Sequence, residues 1–225
     1  QGASGQGAFG GNGESYLADG DSLTNAANGS GGGGGRANEA GAYIYGGSGG
    51  HATAAGANSG NPSGKSVTAG TPGPSGGGNA SLTSMVFGAG AGGAGRDNSG
   101  TQHGGNGGGI VVIIAKDIVV TGSINARGCN SYGVSDLWNN PYNAGAGGSI
   151  LLKGQTIALG TNLVQAPGGT STVQAGYTLG AGGNGYIHAD YKTSISGTTS
   201  PTIDSRQDLT LNPPAIGGSF LLNMI

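Results

Sequence analysis

The chain has 225 residues, of which 34% are apolar, 5% aromatic and only 8% charged, and its formal net charge is −2. So little charge, against a usual ~25%, leaves no electrostatic footprint for nucleic acid or for an anionic membrane surface. The single cysteine, Cys129, excludes an intrachain disulfide and a thiolate zinc cluster, and reads as a small buried hydrophobe.

Glycine supplies 55 residues, 37 of them before Ile110, without the every-third-residue period of collagen. The composition shift at Ile110 predicts three regions. Residues 1–109 form a glycine-rich segment packed on the core or on neighbouring subunits, 110–206 a β-repeat core, and 207–225 an apolar C-terminal tail. In the first region, Asp19 and Asp21 in "ADGDS" read as a solvated turn rather than a calcium site. The runs "GSGGGGGRANEAG" (29–41), "GGSGGHATAAG" (46–56), "TPGPSGGGNAS" (71–81) and "GAGAGGAGRDNSGTQHGGNGGG" (88–109) follow. Such runs order only if their backbone groups are densely hydrogen-bonded. Extended polyglycine segments with 3 residues per turn supply such bonding laterally, and so do neighbouring subunits that clamp the runs. The islands "SYL" (15–17), "AYIY" (42–45) and "SLTSMVF" (81–87) are expected as strands or anchors. The G-x-G-x-x-G inside "GAGAGGAG" follows from composition and precedes no strand–helix unit, so it is no nucleotide site.

The second region contains a repeat. "GGGIVVIIAKDIVVTGSINARG" (107–128) aligns with "GGSILLKGQTIALGTNLVQAPG" (147–168), placing Val111 with Ile150, Ile113 with Leu152 and Ile118 with Ile157. After one inserted residue at Asn162, Ile124 falls with Val164. A third copy, "GAGGNGYIHADYKTSISG" (180–197), puts Ile187 and Ala189 in the same places. One such unit cannot bury its apolar side alone, but stacked copies can. The predicted class is all-β, a parallel β-solenoid-like stack of 36–40-residue repeats with polyglycine II-like segments; the alternative is an antiparallel β-sandwich. No segment keeps a 3.6-residue apolar period, which argues against helix.

The excursion "CNSYGVSDLWNNPYNAG" (129–145) carries Tyr132, Trp138 and Tyr142 among asparagines. Aromatic faces beside amides suit a subunit interface and also suit sugar rings. His51, His103 and His188 are far apart in sequence with no H-E-x-x-H pattern, and His188 with Asp190 reads as a surface hydrogen bond on one strand face. No close carboxylate pair suggests glycoside chemistry. No catalytic residue, metal or cofactor is expected. The tail "GGSFLLNMI" (217–225) concentrates Phe220, Leu221, Leu222, Met224 and Ile225, which pack on their own subunit or add to the next as a strand. No stretch approaches the ~20 apolar residues of a membrane span. A start at Gln1 and N-x-S sequons at Asn28 and Asn79 suit an exported, mature chain.

Taken together, the segments at 104–128, 144–160 and 180–201 resemble the glycine-rich repeat of large bacterial surface and extracellular proteins, in which Gly-rich loops alternate with Ile/Val strands. The N-terminal half resembles the polyglycine-rich domains of phage tail-fibre adhesins. The first resemblance implies an exported structural or adhesive role, the second a scaffold that displays recognition loops. The expected function is a non-catalytic extracellular protein that self-assembles into a filament or matrix through strand and glycine-backbone contacts. The alternative is a receptor- or glycan-binding adhesin. The expected partners are further copies of the chain and cell-surface glycan.

Overall fold

A computed structural model describes residues 30–37, 43–59, 67–93, 95–96, 104–131, 143–174 and 177–212. No helix occurs among them, and the strands are β1 (Arg36–Ala37), β2 (Tyr43–Ile44), β3 (Val67–Thr68), β4 (Gly95–Arg96), β5 (Ile110–Ile114), β6 (Asp117–Val119), β7 (Ile124–Asn125), β8 (Ser149–Gln165), β9 (Thr172–Gln174), β10 (Tyr177–Leu179), β11 (Tyr186–Ser200) and β12 (Asp204–Gln207). The protein is all-β in these residues. Its main sheet has six strands in the order β12-β11-β8-β5, with β6 and β7 also paired to β8, and every pairing in it is parallel. The antiparallel alternative does not describe this sheet. Antiparallel pairing is confined to the short pairs β1–β3, β2–β4 and β9–β10.

The register follows the sequence repeat. Val111 pairs with Ile150, Ile113 with Leu152, Ile118 with Ile157 and Ile124 with Val164. On the other side of β8, Ile187 pairs with Ile150 and Ala189 with Leu152. Alternation along the strands sends these residues to one face. There Ile150, Leu152, Ile157, Leu159, Val164, Ile187 and Ala189 form one buried cluster with Ile118, Ala126 and Ala166. The inserted residue is accommodated by a left-handed turn: Gly160 has φ +69° and Asn162 has φ 54°, a region that Gly and Asn tolerate best. The β8–β11 register slips at the same place.

Apart from β1 and β4, the described glycine-rich stretches are neither linker nor strand. Ten extended segments run side by side: 30–35, 45–51, 52–59, 69–76, 88–93, 104–109, 126–131, 143–148, 166–170 and 180–185. Their backbone bonds recur every third residue. Gly70, Gly73 and Gly76 N–H donate to Tyr45, Ser48 and His51 O, at 3.1, 2.8 and 2.8 Å; Gly145 and Gly148 N–H donate to Cys129 and Ala126 O, at 2.9 and 2.8 Å. A spacing of three is the period of an extended threefold helix, which turns successive donors toward different neighbours.

Segment 143–148 shows the consequence, since it bonds to six others. It accepts from Gly105 and Gly108 (104–109), from Gly49 (45–51) and from Gly169 (166–170), and it donates to Ala89 (88–93), Cys129 and Ala126 (126–131) and Gly183 (180–185). Glycine is required where these backbones meet. A Cβ on Gly145 would run into the Asn106 carbonyl, and one on Gly147 into the Ala166 carbonyl. Of the apolar islands, 15–17 lies outside the described residues. Tyr43–Ile44 is β2, and 81–87 is an irregular connection rather than a strand, anchored by buried Leu82 and Val86.

The lattice makes a testable distinction among glycines. Gly145→Ala is expected to cost about 1–3 kcal/mol or more by forced overpacking. Gly109→Ala, where a Cβ would meet nothing within 4 Å, should be neutral or stabilising by about 0.4–1 kcal/mol, because it restricts the unfolded chain. Chemical denaturation of both variants measures the difference, and equal effects would contradict the packing argument.

Candidate functional site

The buried titratable groups of the described chain, His51, His188 and Asp190, lie in two places. The first is the sheet face away from the apolar cluster. Alternation along β11 turns Ile187 and Ala189 inward, so His188 and Asp190 lie on the opposite face. Parallel register sets Leu151 and Lys153 of β8 on one side of them and Asp204 and Arg206 of β12 on the other. The Asp190 carboxylate is buried and receives Lys153 Nζ at 2.8 Å, Arg206 Nη2 at 2.8 Å and Arg206 Nε at 3.0 Å. His188, also buried, faces Asp204 Oδ2 through Nδ1 at 2.7 Å and Asp190 Oδ1 through Nε2 at 3.3 Å.

Burial pushes the Asp190 carboxyl up. Hydrogen bonds from Lys153, His188 and Arg206, with the Lys153 charge, outweigh that and hold it below the ordinary carboxylate range. Its stabilising contribution is therefore complete above the unfolded carboxylate value of about 3.9 and is lost as pH falls through the lower folded value. Both ring nitrogens of His188 face carboxylates, one from its own strand and one from β12. This geometry ties three strands, β8, β11 and β12, together by charge.

The second place lies inside the glycine bundle. His51 is 1% exposed; its Nδ1 donates to the Gly147 carbonyl at 2.6 Å, and its ring meets Tyr186 edge-on at 5.1 Å. Nε2 has no partner, and neither amide atom of the buried Asn143 has one. Burial pushes the His51 imidazole below its ordinary value, against the pull of the Gly147 carbonyl. Among the described residues no group of three or more His, Cys, Asp or Glu could hold a metal ion.

The bundle also has two distinct ends, which follow from the pairing directions. Segment 104–109 runs parallel to 143–148, whereas 126–131 runs antiparallel to it and parallel to 166–170. Segment 88–93 opposes 104–109, 30–35 follows 88–93, 45–51 opposes 30–35, 69–76 follows 45–51, and 180–185 opposes both 166–170 and 52–59. Five segments thus run toward the main sheet and five run away from it. The described chain leaves the bundle after Ala37, Ser59, Arg96 and Ser131 and re-enters at Tyr43, Val67, Gly104 and Asn143 at the end opposite the sheet, whereas the 77–87 connection joins 69–76 to 88–93 at the sheet end. The β9–β10 pair lies at that end too, tied to Ser59 through Thr178.

Of the sequence-derived candidates, Tyr132, Trp138 and Tyr142 lie outside the described residues, as do Phe220, Leu221, Leu222, Met224 and Ile225, and also Asp19, Asp21, His103 and Asn28. Cys129 is exposed rather than buried. This corrects the expectation of a small buried hydrophobe: its backbone N–H and C=O are the parts that enter the lattice, bonding Asn106 and Gly145. His188 and Asp190 do share a strand face, but they are buried, beside a neighbouring strand that sequence reasoning missed. The signal for that strand was the D-x-R of Asp204 and Arg206, complementary to the H-x-D of His188 and Asp190. The Asn79 side chain closes a turn, accepting from Thr83 N at 3.0 Å and donating to Thr83 Oγ1 at 2.7 Å.

No family model matches the sequence, and no curated protein or solved structure matches the chain.

The His51 environment predicts acid sensitivity. Above about pH 6.5 the ring is neutral in folded and unfolded chains alike. Below it the unfolded chain binds a proton that the folded ring resists, so stability falls with pH until the lower folded value is reached. Denaturation midpoints measured between neutrality and mild acid should decline for the native chain and decline less for His51→Gln. Identical slopes would remove His51 from the account.

Proposed function

We propose that this chain is the non-catalytic display module of an extracellular receptor-binding adhesin. A bundle of polyglycine II-type helices forms its shaft, a parallel β-solenoid-like stack of coils at 110–125, 149–165 and 186–200 closes one end, and the connections at the other end do the recognising. The observation that carries this reading is topological: the four excursions after Ala37, Ser59, Arg96 and Ser131 all depart from and return to the end opposite the sheet, while the 77–87 connection lies at the sheet end. A stiff scaffold that gathers connecting segments at one end is the usual arrangement for recognition, because loops tolerate sequence change while the scaffold holds their bases. The 132–142 connection, with Trp138 between Tyr132 and Tyr142, is the proposed glycan contact, through ring faces and asparagine amides. The resemblance to glycine-rich surface proteins and polyglycine tail-fibre adhesins is read in this sense.

Self-assembly into a filament is the second reading. The described glycine backbone bonds are made within one chain, and a sheet edge is a further place where copies could join. The outer edge of β5, unpaired among the described residues, offers such a place, since Val112, Ile114 and the neighbouring Val119 of β6 are 46%, 50% and 69% exposed. An uncharged, unpaired edge strand is a known route to association.

Glycan-array and cell-surface binding by the intact protein tests the first reading. Trp138→Ala, or replacement of 133–141 by a Gly/Ser linker, should abolish binding with the thermal midpoint unchanged. Binding that survives both changes, or no binding to any surface ligand, would sink it. Electron microscopy of native protein and of Val112→Lys serves the second reading: filaments lost in the variant would favour assembly over display.

A further inference from the structure

We infer that β12 is an electrostatic clasp, releasable by salt, that closes the outer edge of β11. The inference rests on what does and does not hold this strand. All four residues of β12 are exposed, so no apolar side chain in it is buried. Beyond the parallel ladder to His188–Tyr191, its attachments are the ion contacts of Asp204 with His188 and of Arg206 with Asp190. At its last residue Gln207 Nε2 also donates to Lys192 O at 3.1 Å, and beyond the strand Asp208 N donates to Tyr191 O at 2.8 Å and Lys192 Nζ to Asn212 Oδ1 at 2.9 Å. Just before the strand, Ile203 packs against the apolar cluster and gives the clasp a fixed end.

The two halves of the cluster differ in exposure. Asp190 and His188 are 3% and 2% exposed at the side chain, whereas their β12 partners Arg206 and Asp204 are 64% and 50% exposed. Mobile ions therefore reach the β12 half and screen it. Stripping a partner from a buried charge ordinarily costs several kcal/mol, about 3–5 in measured cases, because the charge is left alone. Here that penalty is avoided. When β12 departs, Asp190 keeps Lys153 at 2.8 Å from β8 and His188 at 3.3 Å, and His188 keeps Asp190. The third strand over, β5, places only Val112 and Ile114 in these rows, so no further charge there competes for the pair.

Asp190 thus has one cation from inside the sheet and one from the clasp, and the inner cation makes the outer one dispensable. Charge complementarity also sets the register of β12. A slip by one residue would turn Asp204 and Arg206 to the opposite face of the sheet and lose both contacts. Release uncovers the backbone edge of β11 and gives the sheet a second open edge beside that of β5.

Hydrogen exchange on the intact chain tests the clasp. Between about 0.1 M and about 1 M NaCl the screening length falls from roughly 10 Å to about 3 Å. Amides of 204–207 should lose about tenfold or more of their protection over that range, while those of 150–153 and 187–190 facing β8 keep theirs. Arg206→Gln should give the same loss at low salt, and Arg206→Lys should restore part of it. Protection of 204–207 that ignores both salt and Arg206→Gln overturns the proposal. So does loss of protection in 150–153 in step with 204–207, because that would mark general unfolding.

Discussion

The structure depends on one interaction, the lateral backbone hydrogen bond between extended glycine-rich segments. A side chain on every residue would hold such segments too far apart to bond. With glycine at the crossings, carbonyls sit where Cβ atoms would otherwise be, as the Asn106 carbonyl does at Gly145. Ordering glycine is entropically the most expensive choice among residues. Six bonded neighbours around segment 143–148 show how that cost is met: the threefold period distributes donors and acceptors around the axis, so an interior segment satisfies its polar backbone in every direction. The near absence of charge fits this arrangement, since long charged side chains have no place in a lattice of touching backbones.

The lattice also explains the sheet. Segments 104–109, 143–148 and 180–185 all approach from the same side, and each continues directly into a strand: β5, β8 or β11. Strands entered in the same direction from neighbouring lattice positions are parallel and side by side at their first residue. Ser149 N–H bonds Gly109 O, and Tyr186 N–H bonds Gly148 O, at the seam between the two kinds of structure. Parallel pairing ordinarily needs a long crossover to bring the chain back to its starting end. Here the return is the next antiparallel glycine segment with the excursion that follows it.

This is why the strand register was legible in the sequence and the ends were not. The apolar places Val111, Ile150 and Ile187 repeat at nearly constant spacing, and parallel in-register pairing maps equal spacing onto contact. The alignment gap at Asn162 corresponds to a left-handed residue in a turn. The glycine runs signalled backbone contact but not its partners, because glycine has no side chain with which to encode a neighbour. Only hydrogen-bond direction distinguishes the six neighbours of 143–148. His51 and Asn143 gave no sequence signal of burial, since polar residues are usually exposed. β12 escaped notice because D-S-R-Q has none of the Val/Ile enrichment that marks a strand; it pairs through charges placed to match His188 and Asp190.

The two edges of the sheet then differ for a physical reason. A parallel sheet grown from a lattice must stop somewhere, and each terminal strand leaves unpaired N–H and C=O groups along its outer side. On the β11 side the chain itself supplies a short, fully exposed strand whose charges discourage further growth. On the β5 side nothing described covers Ile110–Ile114, and Val112 and Ile114 stand half exposed beside a free ladder edge. Charge at the first edge and apolar surface at the second are opposite solutions, so one strand type cannot serve both. The β12 pattern would put Asp204 and Arg206 against Val112 and Ile114, leaving the charges unpaired. The sheet therefore has a direction across its strands, closed at β12 and open at β5, in addition to the direction of the bundle from sheet to connections.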